Sequence, residues 1–152
     1  HLENQLRAFR AGWRGVAESD EHGDVMRTMA LALADDGELR DAAAWAAALE
    51  APAPAPTLTG GDARRGAALY APCAACHGAQ GEGMAALEAP PLAGQNDWYL
   101  ETQLEHYAAG RRGFDPADTR GQQMRALAGT LSTAQDRRDL LAYLATLGAS
   151  SP

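Results

Sequence analysis

The five residues Cys73-Ala74-Ala75-Cys76-His77 constrain this chain more than any others. Cys-x-x-Cys-His is the attachment signature of a c-type haem. Two thiols three positions apart reach the two vinyl groups of one porphyrin, and the next imidazole is carried beneath the iron as its proximal ligand. Three other chemistries compete for such a pattern. A structural zinc site wants four ligands, yet these are the only cysteines, and His1, His22 and His106 show no paired spacing. A thioredoxin-like redox pair belongs in a βαβ context, which the chain lacks, and a plain disulfide has no need of the histidine. The expectation is therefore one covalent haem c on Cys73, Cys76 and His77.

The remaining composition sets bounds. With 152 residues and 46% hydrophobic content, the chain suffices for one compact domain and something smaller. No apolar run reaches the roughly 18 residues of a membrane span, so any anchor would lie outside this chain. No signal-peptide pattern stands at His1, so an exported form has lost its leader or the chain starts internally. The net charge is −7, and the basic residues form no cluster longer than Arg111-Arg112 or Arg137-Arg138, which argues against nucleic acid as a partner. An acidic surface suits a basic docking patch, although mild acidity also serves plain solubility.

From Glu50 to Gly61 the sequence reads EAPAPAPTLTGG. Alternating Ala-Pro favours an extended polyproline II segment without hydrogen bonds of its own, so residues 52–60 read as a linker. Sliding the chain against itself reveals a gapless repeat at an offset of 98 that pairs His1–Ala51 with Tyr99–Ala149, about 20 of the 51 pairs being identical. Gly12-x-Arg14-Gly15 faces Gly110-x-Arg112-Gly113, and Gly23-x-x-Met26-Arg27 faces Gly121-x-x-Met124-Arg125. Residues 1–51 thus read as the second half of a domain, a fragment without its own Cys-x-x-Cys-His, and residues 61–149 as a complete one.

The pattern is helical throughout. Asp62 caps a short helix from Ala63 to Tyr70; Trp98, Leu100, Leu104 and Tyr107 recur at helical spacing; Ser132 and Gln135 form a capping box ahead of Leu140, Leu141 and Leu144. Gly- and Pro-rich loops at 78–94 and 110–121 are long enough to wrap a prosthetic group. The sixth iron ligand is expected to be Met124, which follows the second loop; a thioether is soft and neutral and favours ferrous iron. Met84 is the competitor, but it follows His77 by only seven residues and would have to reach around the ring edge. An acceptor for the other ring nitrogen of His77 is expected from the Pro90-Pro91-Leu92 turn, where the prolines have no N–H and leave carbonyls free.

These residues resemble a known family, the class I c-type cytochromes, and within it the bacterial two-domain, two-haem periplasmic cytochromes of the c-four type. The resemblance spans residues 61–147. It rests on Gly61-Asp62, Gly66, Leu69-Tyr70, Cys73 to Gly78, Gly81-Glu82-Gly83, Ala89 to Gln95, Tyr99-Leu100, Gln103-Leu104, Gly110-x-Arg112, Met124, Leu131-Ser132 and Asp139-Leu140 with Tyr143-Leu144. It implies the all-α class I cytochrome c fold around one haem, preceded by an incomplete second repeat. It further implies Met124 as distal ligand, the Pro90 carbonyl as acceptor from His77, and a close crossing of the first and last helices of the domain at Gly66. Arg112 with Trp98 or Tyr99 would reach the haem propionates, although an Arg after a glycine is more often a solvated loop charge. Met26 takes the place of Met124 in the repeat, as the axial ligand of a missing first haem; the alternative is a packing remnant of a lost haem.

The function this implies is one-electron transfer by a His/Met-ligated haem c, as a periplasmic carrier or as an electron-transfer subunit of a respiratory complex, with no substrate chemistry. A quinol-oxidising complex, a terminal oxidase or a periplasmic dehydrogenase would be the partner. Two rivals are a peroxidase-like haem enzyme and a haem-based ligand sensor, both of which need a labile sixth position.

Overall fold

The computed structural model describes residues 1–50 and 54–148; the domain bounds at 51, 52 and 149 lie outside the described residues. Among the described residues seven α-helices follow one another: α1 (Leu2–Arg10), α2 (Glu21–Ala32), α3 (Asp36–Ala47), α4 (Ala63–His77), α5 (Asp97–Ala108), α6 (Thr119–Ala128) and α7 (Ala134–Gly148). A 3-10 turn spans Ala85–Leu87. Among the described residues the one β feature is an isolated bridge between Met84 and Ala89, and no helix is long and apolar enough to cross a membrane.

Two compact units result, one of His1–Ala51 with Ala109–Arg125, the other of Pro52–Ala108 with Ala126–Pro152. In the first, α1 packs on α2 and α3 around Ala8, Phe9, Ala30, Leu39 and Ala43. Arg7 joins Glu3 to Asp36, and Arg10 also pairs with Asp36. The core is small, and Val25, Met29, Leu31 and Trp45 stay at least half exposed.

Local geometry recurs at the offset of 98. Gly12 and Gly110 have φ of 76° and 73°, Gly15 and Gly113 of 70° and 66°. Asp20 accepts from the Gly23 N–H at 2.9 Å, and Asp118 from the Gly121 N–H at 2.8 Å. The same short-range patterns in both copies thus select the same backbone, an Asx-type cap opening a helix after a glycine-rich turn.

In the second unit α4 crosses α7, and α5 also packs on α7. The core is Tyr70, Leu100, Leu131, Leu140, Leu141 and Leu144. The crossing is close because Gly66 has no side chain: a Cβ there would stand 1.9 Å from the Asp139 carbonyl oxygen. Tyr70 packs on Tyr143 with ring centroids 5.5 Å apart. Polar bonds hold the two helix starts together. Asp139, buried, accepts from the Asp62 N–H at 2.8 Å and from Gln135 at 2.7 Å and pairs with Arg65, which also reaches Asp136. The Asp62 N–H, then Gln135 and Arg65, outweigh burial and hold the Asp139 carboxyl below its ordinary range. Gly66→Ala forces α4 and α7 apart and is expected to lower stability by about 1–3 kcal/mol, read as a shift of the urea midpoint.

Three local expectations change. The helix from Ala63 runs on to His77 rather than ending at Tyr70, because Pro72 lies inside it without breaking it; the attachment motif is its last turn. The capping box of α7 is Thr133 with Asp136, not Ser132 with Gln135: Asp136 N–H donates to the Thr133 hydroxyl at 3.0 Å and Thr133 N–H to the Asp136 carboxylate at 2.9 Å. Gln135 instead donates to the Gly60 carbonyl and Asp139. The end of the Ala/Pro segment is held. Thr57, through its N–H and hydroxyl, and the Leu58 N–H all donate to Asp97, at 2.6, 2.8 and 2.7 Å. Burial pushes the Asp97 carboxyl up, but these donors and the Trp98 N–H outweigh it and keep the group below its ordinary range.

Candidate haem attachment site

The last turn of α4 puts Cys73 and Cys76 one helical turn apart, with His77 as the final helical residue. The thiols are not joined to each other, and both are partly buried. Burial, and then the neighbouring Cys76, push the Cys73 thiol up. Cys73 and Ala74 pack against the core of the second unit together with Leu92, Tyr99 and Leu104. Gly78 ends the helix, its N–H donating to the Ala74 carbonyl at 3.0 Å. The Tyr70 hydroxyl donates to the Gly78 carbonyl at 2.5 Å, and burial raises that phenol to about 12. Tyr70 thus acts as a fixed donor bracing the turn under His77.

His77 is 4% exposed. Its Nδ1 lies 2.8 Å from the Pro90 carbonyl oxygen. A carbonyl can only accept, so Nδ1 carries the proton, which leaves Nε2 with a lone pair of the kind a metal takes. The acceptor is well anchored. Leu92 and Ala93 N–H groups donate to the Gly81 carbonyl at 2.7 and 3.0 Å, and the Gly83 N–H donates to the His77 carbonyl at 2.8 Å. Gly83 (φ 80°) is the residue that lets the Pro90-Pro91 turn approach, since a Cβ there would come within 2.5 Å of the Pro91 nitrogen. Sequence reasoning gave Gly83 no role at the site; its signal was the glycine repeated around Glu82, which says that the backbone is unusual and not what it approaches.

Pro90, Trp98 and Tyr99 belong to the unit that holds Cys73, Cys76 and His77; Met124, Arg112 and Met26 belong to the other. Trp98 is half exposed, its ring edge-on to Tyr99 with centroids 6.1 Å apart. Arg112 is 9% exposed, so it is not a solvated loop charge. It and Arg14, its counterpart in the repeat, both donate to the Gln5 side-chain oxygen, at 3.1 and 2.5 Å. Met124 lies within α6 and not in the loop before it, and it is the sixth residue of that helix as Met26 is of α2. It is partly buried, whereas Met26 is 40% exposed.

The donor set fits a covalent haem: two unjoined thiols one turn apart, then an imidazole whose tautomer frees Nε2. No group of three or more His, Cys, Asp or Glu side chains suited to a metal ion occurs among the described residues. Residues 63–148 match the family model for cytochrome c. The chain belongs to the cytochrome c family. Such a domain carries haem c, and Cys73 and Cys76 fit its attachment motif.

Within this family the chain is 38% identical over 140 residues to the thiosulfate dehydrogenase electron acceptor of Stutzerimonas stutzeri (strain A1501), covering 84% of this chain and 59% of that protein. It is 38% identical over 98 residues to cytochrome c4 of Azotobacter vinelandii, covering 60% of this chain and 46% of that protein. The chain thus spans about half the length of these curated relatives. Solved structures share its fold. The cytochrome c4 structure from Acidithiobacillus ferrooxidans matches with a TM-score of 0.75 and 26% identity over 95% of this chain and 81% of that one. Thiosulfate dehydrogenase (TsdBA) from Marichromatium purpuratum matches with a TM-score of 0.73 and 34% identity over 99% of this chain and 32% of that one. The all-α cytochrome c architecture is thereby established.

Proposed function

We propose that this chain is a one-electron carrier, or the electron-transfer subunit of a redox complex, and that it performs no bond chemistry on a substrate. The observation that carries the reading is the His77 Nδ1 to Pro90 bond directly after two unjoined thiols, in a chain whose residues 63–148 match cytochrome c. When bound, haem supplies a one-electron ferric/ferrous couple. The protein's part is to keep it attached and to set the balance between the two states. Cys73 and Cys76 would hold the porphyrin, and His77, oriented by Pro90, and Met124 would ligate its iron, a soft sulfur being the choice that favours the ferrous state. Arg112 with Trp98 or Tyr99 would hold the propionates.

Residues 61–149 form the mono-haem domain in this reading, 52–60 its linker, and 1–51 the C-terminal half of a further cytochrome c-like domain. The matched cap and glycine geometry of the two copies supports the last assignment, as do the exposed Val25, Met26 and Met29 on α2, an apolar face that a first haem, ligated by Met26, would cover. Maturation of haem c in bacteria takes place outside the cytoplasmic membrane, which makes the periplasm the site of action. Redox proteins are the partners. Similarity to the thiosulfate dehydrogenase electron acceptor of S. stutzeri favours a periplasmic dehydrogenase as electron donor, ahead of a quinol-oxidising complex or a terminal oxidase.

Intact mass and a spectroelectrochemical titration of the native protein test this. The expected result is haem retained under denaturing conditions and a reversible one-electron wave for each haem. Purified protein that stays colourless from a host competent in cytochrome maturation, or a haem that turns over peroxide rapidly, would overturn it.

A further inference from the structure

The stretch that carries the attachment motif has fixed charge of one sign. From Gly66 to Gly110 there is no Lys or Arg, while Glu82, Glu88, Asp97, Glu101 and Glu105 all fall within it. Asp97 is buried against Thr57 and Leu58, but Glu82 and Glu88 are exposed. Between these two glutamates stand Met84, Ala85, Ala86 and Leu87, every one of them exposed.

The backbone holds this apolar turn in place. Met84 and Ala89 exchange N–H to carbonyl bonds of 2.9 and 3.1 Å, the Leu87 N–H donates to the Met84 carbonyl at 3.1 Å, and the Glu88 N–H donates to the Ala85 carbonyl at 3.0 Å. Glu88 closes the turn at φ 53°, a left-handed conformation that L side chains resist. The turn is also fastened to the attachment site on both sides. Gly83 before it donates to the His77 carbonyl, and Pro90 after it accepts from His77 Nδ1.

We propose that the Met84–Leu87 turn, rimmed by Glu82 and Glu88, is the surface on which the redox partner docks, and that this partner presents an apolar contact surrounded by Lys or Arg. The inference rests on the electron-carrier reading above. Charge complementarity selects the occupant: a rim of carboxylates on a chain of net charge −7 attracts a basic partner from a distance and repels an acidic one. Transient redox encounters use small interfaces, so a four-residue apolar centre with a charged rim is of the right kind. Attachment of the turn to both the carbonyl and the ring of His77 places the contact on the segment that holds the haem.

Stopped-flow electron transfer by the haem-loaded protein tests the proposal, with a lysine-rich mitochondrial cytochrome c as protein probe and hexaammineruthenium as a small reagent that needs no docking surface. The pair Met84→Ser and Leu87→Ser is expected to slow the reaction with the protein probe by about tenfold, with the visible spectrum and the hexaammineruthenium rate unchanged. Glu82→Lys with Glu88→Lys is expected to slow it by roughly tenfold at low salt and to flatten its salt dependence. Glu18→Lys with Glu50→Lys, at exposed positions elsewhere in the chain, alters net charge equally and is expected to change the rate by less than about twofold. A serine pair that reacts at the native rate overturns the proposal, as do equal losses from the two charge-reversed pairs. Conversion of a dimer to a monomer by the serine pair, seen by light scattering, reassigns the patch to self-association. A native protein that fails to exchange electrons with hexaammineruthenium defeats the carrier reading itself.

Discussion

Replacing both thiols, Cys73→Ala with Cys76→Ala, yields a protein whose intact mass lacks one covalent haem under denaturing conditions. The two sulfurs are the only thioether-forming atoms in the sequence, so no other residue can take over the attachment. Either single replacement leaves one thioether, and haem stays on the chain with a shifted visible spectrum. The loss does not reduce to misfolding of the polypeptide around the site. Cys73 is only partly buried against the core, and Ala fills most of its volume, so the change costs about 1 kcal/mol of packing or less. Circular dichroism in the far ultraviolet is the control: helix content near the parent value with no covalent haem is the predicted pair of results. Haem that still resists extraction from the double variant would remove the chemical basis for everything assigned to this segment.

Met124→Ala is expected to open the sixth coordination position. The parent protein, once reduced, should bind carbon monoxide slowly because a thioether must first leave; the variant should bind it faster by more than about tenfold. The reduction potential should fall at the same time, since a soft, neutral sulfur stabilises ferrous iron and its loss tilts the balance to ferric. Met84→Ala is the matched comparison, a methionine on the exposed turn of the attachment segment, and should leave both properties unchanged. If Met84→Ala reproduces the two effects and Met124→Ala does not, the distal ligand has been assigned to the wrong methionine.

Legibility from the sequence followed the range of the interactions involved. The attachment motif, the cap at Asp62, the helical period of α5 and the repeat at offset 98 are patterns between residues a few positions apart or copied intact, and a linear reading finds them. Near neighbours also account for small errors. Thr133 and Ser132 are both able caps, and which one starts α7 depends on Asp136 reaching back to Thr133. The helix expected to end at Tyr70 continues through Pro72 to His77, where packing of Tyr70 and Cys73 on the core outweighs the local cost of the proline.

By itself the sequence determined which atoms can bond a porphyrin, that the chain is helical, and that its charge is acidic, because these depend on residue identity and short spacing. Only the tertiary structure decided the rest. It showed that Asp97 captures Thr57 and Leu58 from 40 and 39 residues away, that Arg65 joins α4 to Asp136 and Asp139 of α7, that Gly83 seats the Pro90 turn, and that Arg112 is buried while Met84 and Leu87 are not. Such pairings are set by how helices pack in space, and the same local pattern is compatible with many packings until the backbone closes on one.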